Sequence, residues 1–99
     1  MNIKKISAYL GFAIKSGKII FGYDNLFTSK KHPLLVLISA DLADKMRIKV
    51  IDYCNNMNIV YRELDLTISE IISRDNCKVV AVLDQGLTDA IMNEMEIEK

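Results

Sequence analysis

Apolar residues recur at helical spacing at the start of the chain: Ile3, Ile6, Leu10 and Ile14, with Ala13 on the same face. The spacing predicts an amphipathic helix that stops at Ser16-Gly17, where glycine supplies the exit. Lys18-Ile19-Ile20-Phe21 is a short apolar run and predicts a strand. Gly22 punctuates it, and Asp24 or Asn25 stands where a cap would start a short helix running to about Lys31. His32-Pro33 breaks that helix. Leu34-Leu35-Val36-Leu37-Ile38 is unbroken apolar sequence, the pattern of a strand covered on both faces, and Ser39-Ala40-Asp41 closes it.

The second half repeats the alternation. Leu42, Met46, Val50, Tyr53 or Cys54, and Met57 form a helical face, ended by Asn55-Asn56 and Asn58. Ile59-Val60-Tyr61 predicts a short strand. Leu66, Ile68, Ile71 and Ile72 predict a short helix capped by Asp65 or Thr67, and Arg74-Asp75-Asn76 is a polar turn. Val79-Val80-Ala81-Val82-Leu83 is the second fully apolar strand. Asp84-Gln85-Gly86 opens a last helix carrying Leu87, Ala90, Ile91 and Met95, and the charged tail from Glu94 to Lys99 is expected to fray. The order α-β-α-β-α-β-α-β-α implies a sheet with helices on both sides. The runs 34–38 and 79–83 should be adjacent central strands, and the two shorter strands should be edges.

At 99 residues the chain is expected to form one domain, 1–99. With 51% hydrophobic and 26% charged residues it is not a disordered chain. Two Cys cannot make a disulfide framework, and one Pro excludes a polyproline linker. Charged residues end every apolar run well before the roughly 18 residues of a membrane span, and no signal-peptide apolar region or cleavage site appears, so the reading is a cytoplasmic protein with reduced thiols. Formal net charge is zero, but residues 1–62 carry +6 and residues 63–99 carry −6. The first 31 residues hold six lysines and one acid, so an N-terminal basic face could attract phosphate; chance segregation on a solvated surface is the rival account.

Candidate enzyme chemistry is thin. His32, the only histidine, sits beside Pro33 and reads as a turn residue. Cys54 and Cys77 match no metal spacing and read as buried thiols, so neither a metal nor a cofactor is expected. Gly11 to Lys18 has one residue too many between its glycines for a phosphate loop, and Ile19 stands where a hydroxyl must hold the metal. Asp41 and Asp84 follow the two central strands, where open α/β sheets place ligands; helix caps are favoured over magnesium ligands there. Of the possible stacking rings, Phe12 and Tyr61 read as core or half-core, Tyr9 is a further candidate, and Tyr23 is the best candidate for exposure.

Three segments in order, Ile19 to Asn25, Leu35 to Asp41 and Val79 to Leu87, resemble the ribosomal protein family of L-seven-Ae and L-thirty-e type, in its bacterial branch. The resemblance runs from about Ile6 to Ile91. It implies a three-layer α/β/α sandwich around a four-stranded mixed sheet. It also implies a non-enzymatic, monomeric protein of the translation apparatus, partnered by a kink-turn-like structured RNA and by the ribosome or its proteins. Such proteins hold RNA at the turn after the first strand, which here is Gly22 and Tyr23. Asp24 stands where kink-turn binders carry Asn, Asn25 where they carry Glu, and Thr28 where they carry Lys. A second loop, 73–77, is polar where an apolar platform is usual, with Arg74 placed to meet phosphate or a base. Lys15, Lys18, Lys30 and Lys31 are expected to supply phosphate contacts. The alternative is a protein-interaction module of the same fold, favoured by zero net charge, Asp24 and Thr28.

Overall fold

Nine elements alternate along the chain in a computed structural model that describes residues 2–96. They are α1 (Ile3–Lys15), β1 (Ile19–Phe21), α2 (Tyr23–Thr28), β2 (Leu35–Ile38), α3 (Asp44–Asn56), β3 (Val60–Glu63), α4 (Ile68–Ile72), β4 (Val79–Val82) and α5 (Gln85–Glu96). The strands form one mixed sheet in the order β1-β4-β2-β3. β4 runs antiparallel to both β1 and β2, and β2 runs parallel to β3. The two continuous apolar runs therefore supply the adjacent central strands: Leu35–Ile38 and Val79–Val82 are buried throughout, while Leu34 and Leu83 lie just outside the strands and are half-buried. β1 and β3 are the edges; β1 is shorter, but β3 is as long as the central strands and is set apart by exposure, not length.

Alternation along the central strands divides the core in two. Leu35, Leu37, Val80 and Val82 face one side, with Ile6 and Leu10 of α1, Ile68 of α4 and Ile91 of α5. Val36, Ile38, Val79 and Ala81 face the other, with Leu26 of α2 and Val50 and Cys54 of α3. The result is a three-layer α/β/α sandwich: α1, α4 and α5 cover one face, α2 and α3 the other.

The ends of several elements differ from the sequence expectation. α2 stops at Thr28 rather than near Lys31, because Ser29 turns extended (φ −67°, ψ 138°). It is entered through Gly22, with no side-chain cap from Asp24 or Asn25. α1 buries only Ile6, Leu10 and Ala13, leaving Ile3 and Ile14 exposed. Met57, expected on the α3 face, is also exposed because α3 has ended at Asn56. β3 begins at Val60, since Ile59 N–H still closes α3 by donating to the Cys54 carbonyl at 2.8 Å. Asp84 does cap α5, accepting from Leu87 N–H at 2.8 Å. Asp41 caps nothing, as Ala43 is the residue before α3. The α4 cap position is Thr67, but without a side-chain bond. Antiparallel pairing puts Asp41 and Asp84 at opposite ends of the sheet, so they share no crevice. Of the tail, Glu94 to Glu96 continue α5 and Glu94 is 7% exposed. Residues 97–99 lie outside the described chain.

Cys54 and Cys77 are buried on opposite faces of the sheet. Burial raises both thiols, that of Cys54 to about 11. Neither should react with a bulky disulfide reagent at pH 8 in the folded protein, and both should react in denaturant. Rapid modification of the native protein would contradict this packing.

A polar knot closes the C-terminal end of β2. The buried Ser39 hydroxyl donates to Asp41 and accepts from Ile68 N–H at 2.9 Å, tying α4 to the strand end. Arg47 donates to the carbonyls of Ser39, Ala40 and Leu42 at 3.1–3.2 Å and pairs with Glu63 at 2.8 Å. The Ser39 hydrogen bond, and secondarily Lys78 at 3.8 Å, holds the Asp41 carboxyl below its ordinary 3.8. A depressed carboxyl stabilises the fold above its unfolded pKa, and that contribution is lost as pH falls through the folded one. Asp41→Asn should therefore flatten the acid limb of the stability profile below pH 3.8 and leave its shape at neutral pH unchanged. An unchanged acid limb would place the pH dependence elsewhere.

Candidate nucleic-acid interface

Gly22 leaves β1 with φ 82° and ψ 154°, a region open in practice to glycine alone. Its N–H donates to the Val79 carbonyl at 2.8 Å, and its carbonyl accepts from Leu26 N–H at 3.1 Å. The turn is thus held on one side by the sheet and on the other by α2. A Cβ placed on Gly22 would meet nothing within 4 Å, so the backbone faces open space. Because β1 and β4 are antiparallel, the loop before β4 arrives at the same end of the sheet. There the exposed Arg74 lays its guanidinium over the Phe21 ring, 3.9 Å from the centroid. Arg74, expected in a separate second loop, is thus a neighbour of the turn.

The side chains after Gly22 are partly committed. Asn25 donates its amide N–H to the Phe21 carbonyl at 2.8 Å, which leaves its Oδ1 free to accept. Thr28 donates its hydroxyl to the Asp24 carbonyl at 3.0 Å. Asp24 is exposed. Tyr23, expected to be an exposed ring, is half-buried and packs against Phe27 with ring centroids 6.2 Å apart. Phe27 in turn meets Tyr53 at 5.1 Å. This aromatic column belongs to the core, so Tyr23 is not a free stacking platform. Phe12, expected in the core, is 60% exposed.

The lysines are not gathered at the turn. Lys18 precedes β1, and its carbonyl accepts from Leu83 N–H at the far end of the sheet. Four extended residue steps carry the chain from it to Gly22, about 13 Å. Lys15 lies at the end of α1, on the opposite face of the sheet from α2. Lys30 and Lys31 follow α2, in the loop that leads into β2 at the end away from Gly22. The charge asymmetry of the chain is also blurred in space. Basic α1 packs beside acidic α5, and Lys5 approaches Glu94 to 3.9 Å.

Among the described residues no cluster of three His, Cys, Asp or Glu side chains could hold a metal ion, and no helix is long and apolar enough to cross a membrane. Three features lie outside the sequence expectation: the Arg47 clamp, the Phe21–Arg74 stack and the exposure of Phe12. Only the last had a local signal, because Phe12 falls outside the Ile6-Leu10-Ala13 stripe that alone is buried.

No protein-family model and no curated protein matches this chain. The chain is similar to a solved structure of a protein of unknown function from Bacillus halodurans, with a TM-score of 0.76 at 19% identity. The match covers 91% of this chain and 95% of that one. At that identity the likeness establishes the α/β fold and nothing further.

Proposed function

We propose that this chain is a non-enzymatic RNA-binding protein of the translation apparatus, working in the cytoplasm as a monomer and holding a kinked or folded RNA at the Gly22 turn. The reading rests on the sequence resemblance to kink-turn binders. The observation that carries it is the meeting of an open glycine backbone with a stacked arginine at one end of the sheet. Glycine permits close approach of a bent RNA backbone. Arg74 offers charge to phosphate and a planar face to a base. Asn25 Oδ1 and the Asp24 carboxylate can accept from guanine amines. α2 spans about 9 Å, so an RNA strand lying along it would pass from the turn to Lys30 and Lys31.

Asp24 favours the second reading, a protein-interaction module, because an exposed carboxylate beside the turn repels phosphate. Binding of the pure protein to a kink-turn hairpin and to a plain duplex, across a salt series, separates the two. A preference for the kinked RNA is expected. Asp24→Asn should strengthen binding by removing the like charge. Lys30→Ala and Lys31→Ala should each weaken both complexes alike and lower the salt slope by about one unit. No preference even at the lowest salt, together with no gain from Asp24→Asn, would leave the protein-interaction reading in first place.

A further inference from the structure

The lysines that the turn cannot use lead to another surface. Lys4, Ala8, Phe12 and Lys15 span about 80° of α1 at helical spacing, on the side away from buried Ile6, Leu10 and Ala13. Lys18 lies just past the end of the same helix and is exposed. The first 23 residues of the chain contain four lysines and no acid.

Phe12 stands at the edge of this strip with 60% of its surface exposed, with Lys15 one turn further along the helix and half-buried Tyr9 one turn before it. Gly11 beside it sits inside a helix, where glycine weakens the element. Nothing within the molecule requires a glycine there. Its φ is not positive, and a Cβ would meet no atom within 4 Å. Ala8 and Gly11 leave flat, open ground next to the ring.

We propose that the outer face of α1 is a second nucleic-acid surface, which stacks an unpaired base of a single strand on Phe12 while Lys4, Lys15 and Lys18 neutralise phosphates. Charge complementarity selects the occupant: the strip has lysines and no acid of its own, with acidic α5 packed on one flank of α1, so its outer side attracts a polyanion, and one exposed ring suits a base better than it suits an apolar protein patch. Lys5 is not counted, because it is drawn to Glu94 of α5. The surface is on the opposite face of the sheet from α2, so it stands apart from the Gly22 reading and either can fail alone.

The test uses the whole chain and two probes: a single-stranded oligouridylate of about twelve nucleotides and a kinked duplex without single-stranded ends. The chain has four Tyr but no Trp, so Phe12→Trp introduces a single tryptophan, excited selectively at the red edge, at the proposed stacking point. Oligouridylate should quench its emission saturably. Phe12→Ala should lower oligouridylate affinity roughly tenfold and leave binding of the kinked duplex unchanged. Lys15→Ala should reduce the salt slope for oligouridylate by about 0.7. Circular dichroism and thermal melting confirm that each variant is folded, which the exposure of Phe12 leads one to expect. The absence of quenching at saturating oligouridylate overturns the proposal, as does an affinity insensitive to Phe12→Ala. Self-association in sedimentation that disappears in Phe12→Ala, without oligouridylate binding, also overturns it and assigns the face to a second copy of the chain.

Discussion

Leu37→Ala should destabilise the protein by about 3–5 kcal/mol, a large part of the roughly 5–15 kcal/mol that holds a domain folded. Leu37 is fully buried at the centre of β2 and pairs across the sheet with Val80. On its face of the sheet it lies in one cluster with Leu10, Ile68 and Ile91, contributed by three different helices. Collapse into the cavity would require those helices to shift together, so the lost transfer energy and the void should both be felt. Ile48→Ala supplies the contrast. Ile48 is 61% exposed on α3, and its truncation should change stability by no more than about 0.5 kcal/mol. Urea titration reads both, with the midpoint falling and the slope unchanged for Leu37→Ala. A loss below about 1 kcal/mol would mean that β2 is not central to the core.

Gly22→Val should remove any preference for kinked RNA and should also weaken the fold. The two effects have separable causes. At φ 82° and ψ 154° any L-residue pays backbone strain, of order 1–3 kcal/mol. That cost is shared by Gly22→Ala, because a Cβ there meets no neighbour and the penalty is conformational. The additional methyls of Val project into the open space where an RNA backbone would come. Selectivity should therefore fall from glycine to alanine to valine. Stability should fall mainly at the first step, with a smaller further loss for a β-branched residue at positive φ. Melting curves and binding to kinked and plain RNA, measured where all three proteins are folded, make the comparison. If selectivity tracks stability alone, the turn acts only as a structural joint.

Much of the architecture was legible because one local rule governs it. The runs 34–38 and 79–83 carry no polar residue, and such strands must be covered on both faces. Their central, adjacent placement and the helices on either side follow from that. Gly17 and Gly22 were legible as punctuation, and both have positive φ. Element ends were less legible. Asp24 and Asn25 look like helix caps by type, yet Gly22 makes the entry with its backbone, and Asn25 turns back to the Phe21 carbonyl. Asp41 looks like a cap as well, but the nearby Ser39 hydroxyl and Lys78 draw its carboxylate instead.

The candidate site divides in the same way. That Gly22 marks a special turn could be read from residue type and position. Whether Arg74 belongs to it depends on strand direction: antiparallel β1 and β4 bring a loop 52 residues later to the same end of the sheet. Lys18 is four residues from Gly22 in sequence but an extended strand away in space, and Lys15 is on the other face. Tyr23 and Phe12 exchange their expected places for the same reason. Tyr23 meets Phe27 of its own helix, which packs on Tyr53 of α3, while Phe12 lies off the stripe that α1 buries. The sequence by itself determined the order of elements, the two central strands and the position of the turn, because periodicity and glycine chemistry act within a few residues. Only the tertiary structure decided which side chains stand together, because strand direction and the assignment of helices to faces are settled by burying apolar surface across the whole chain.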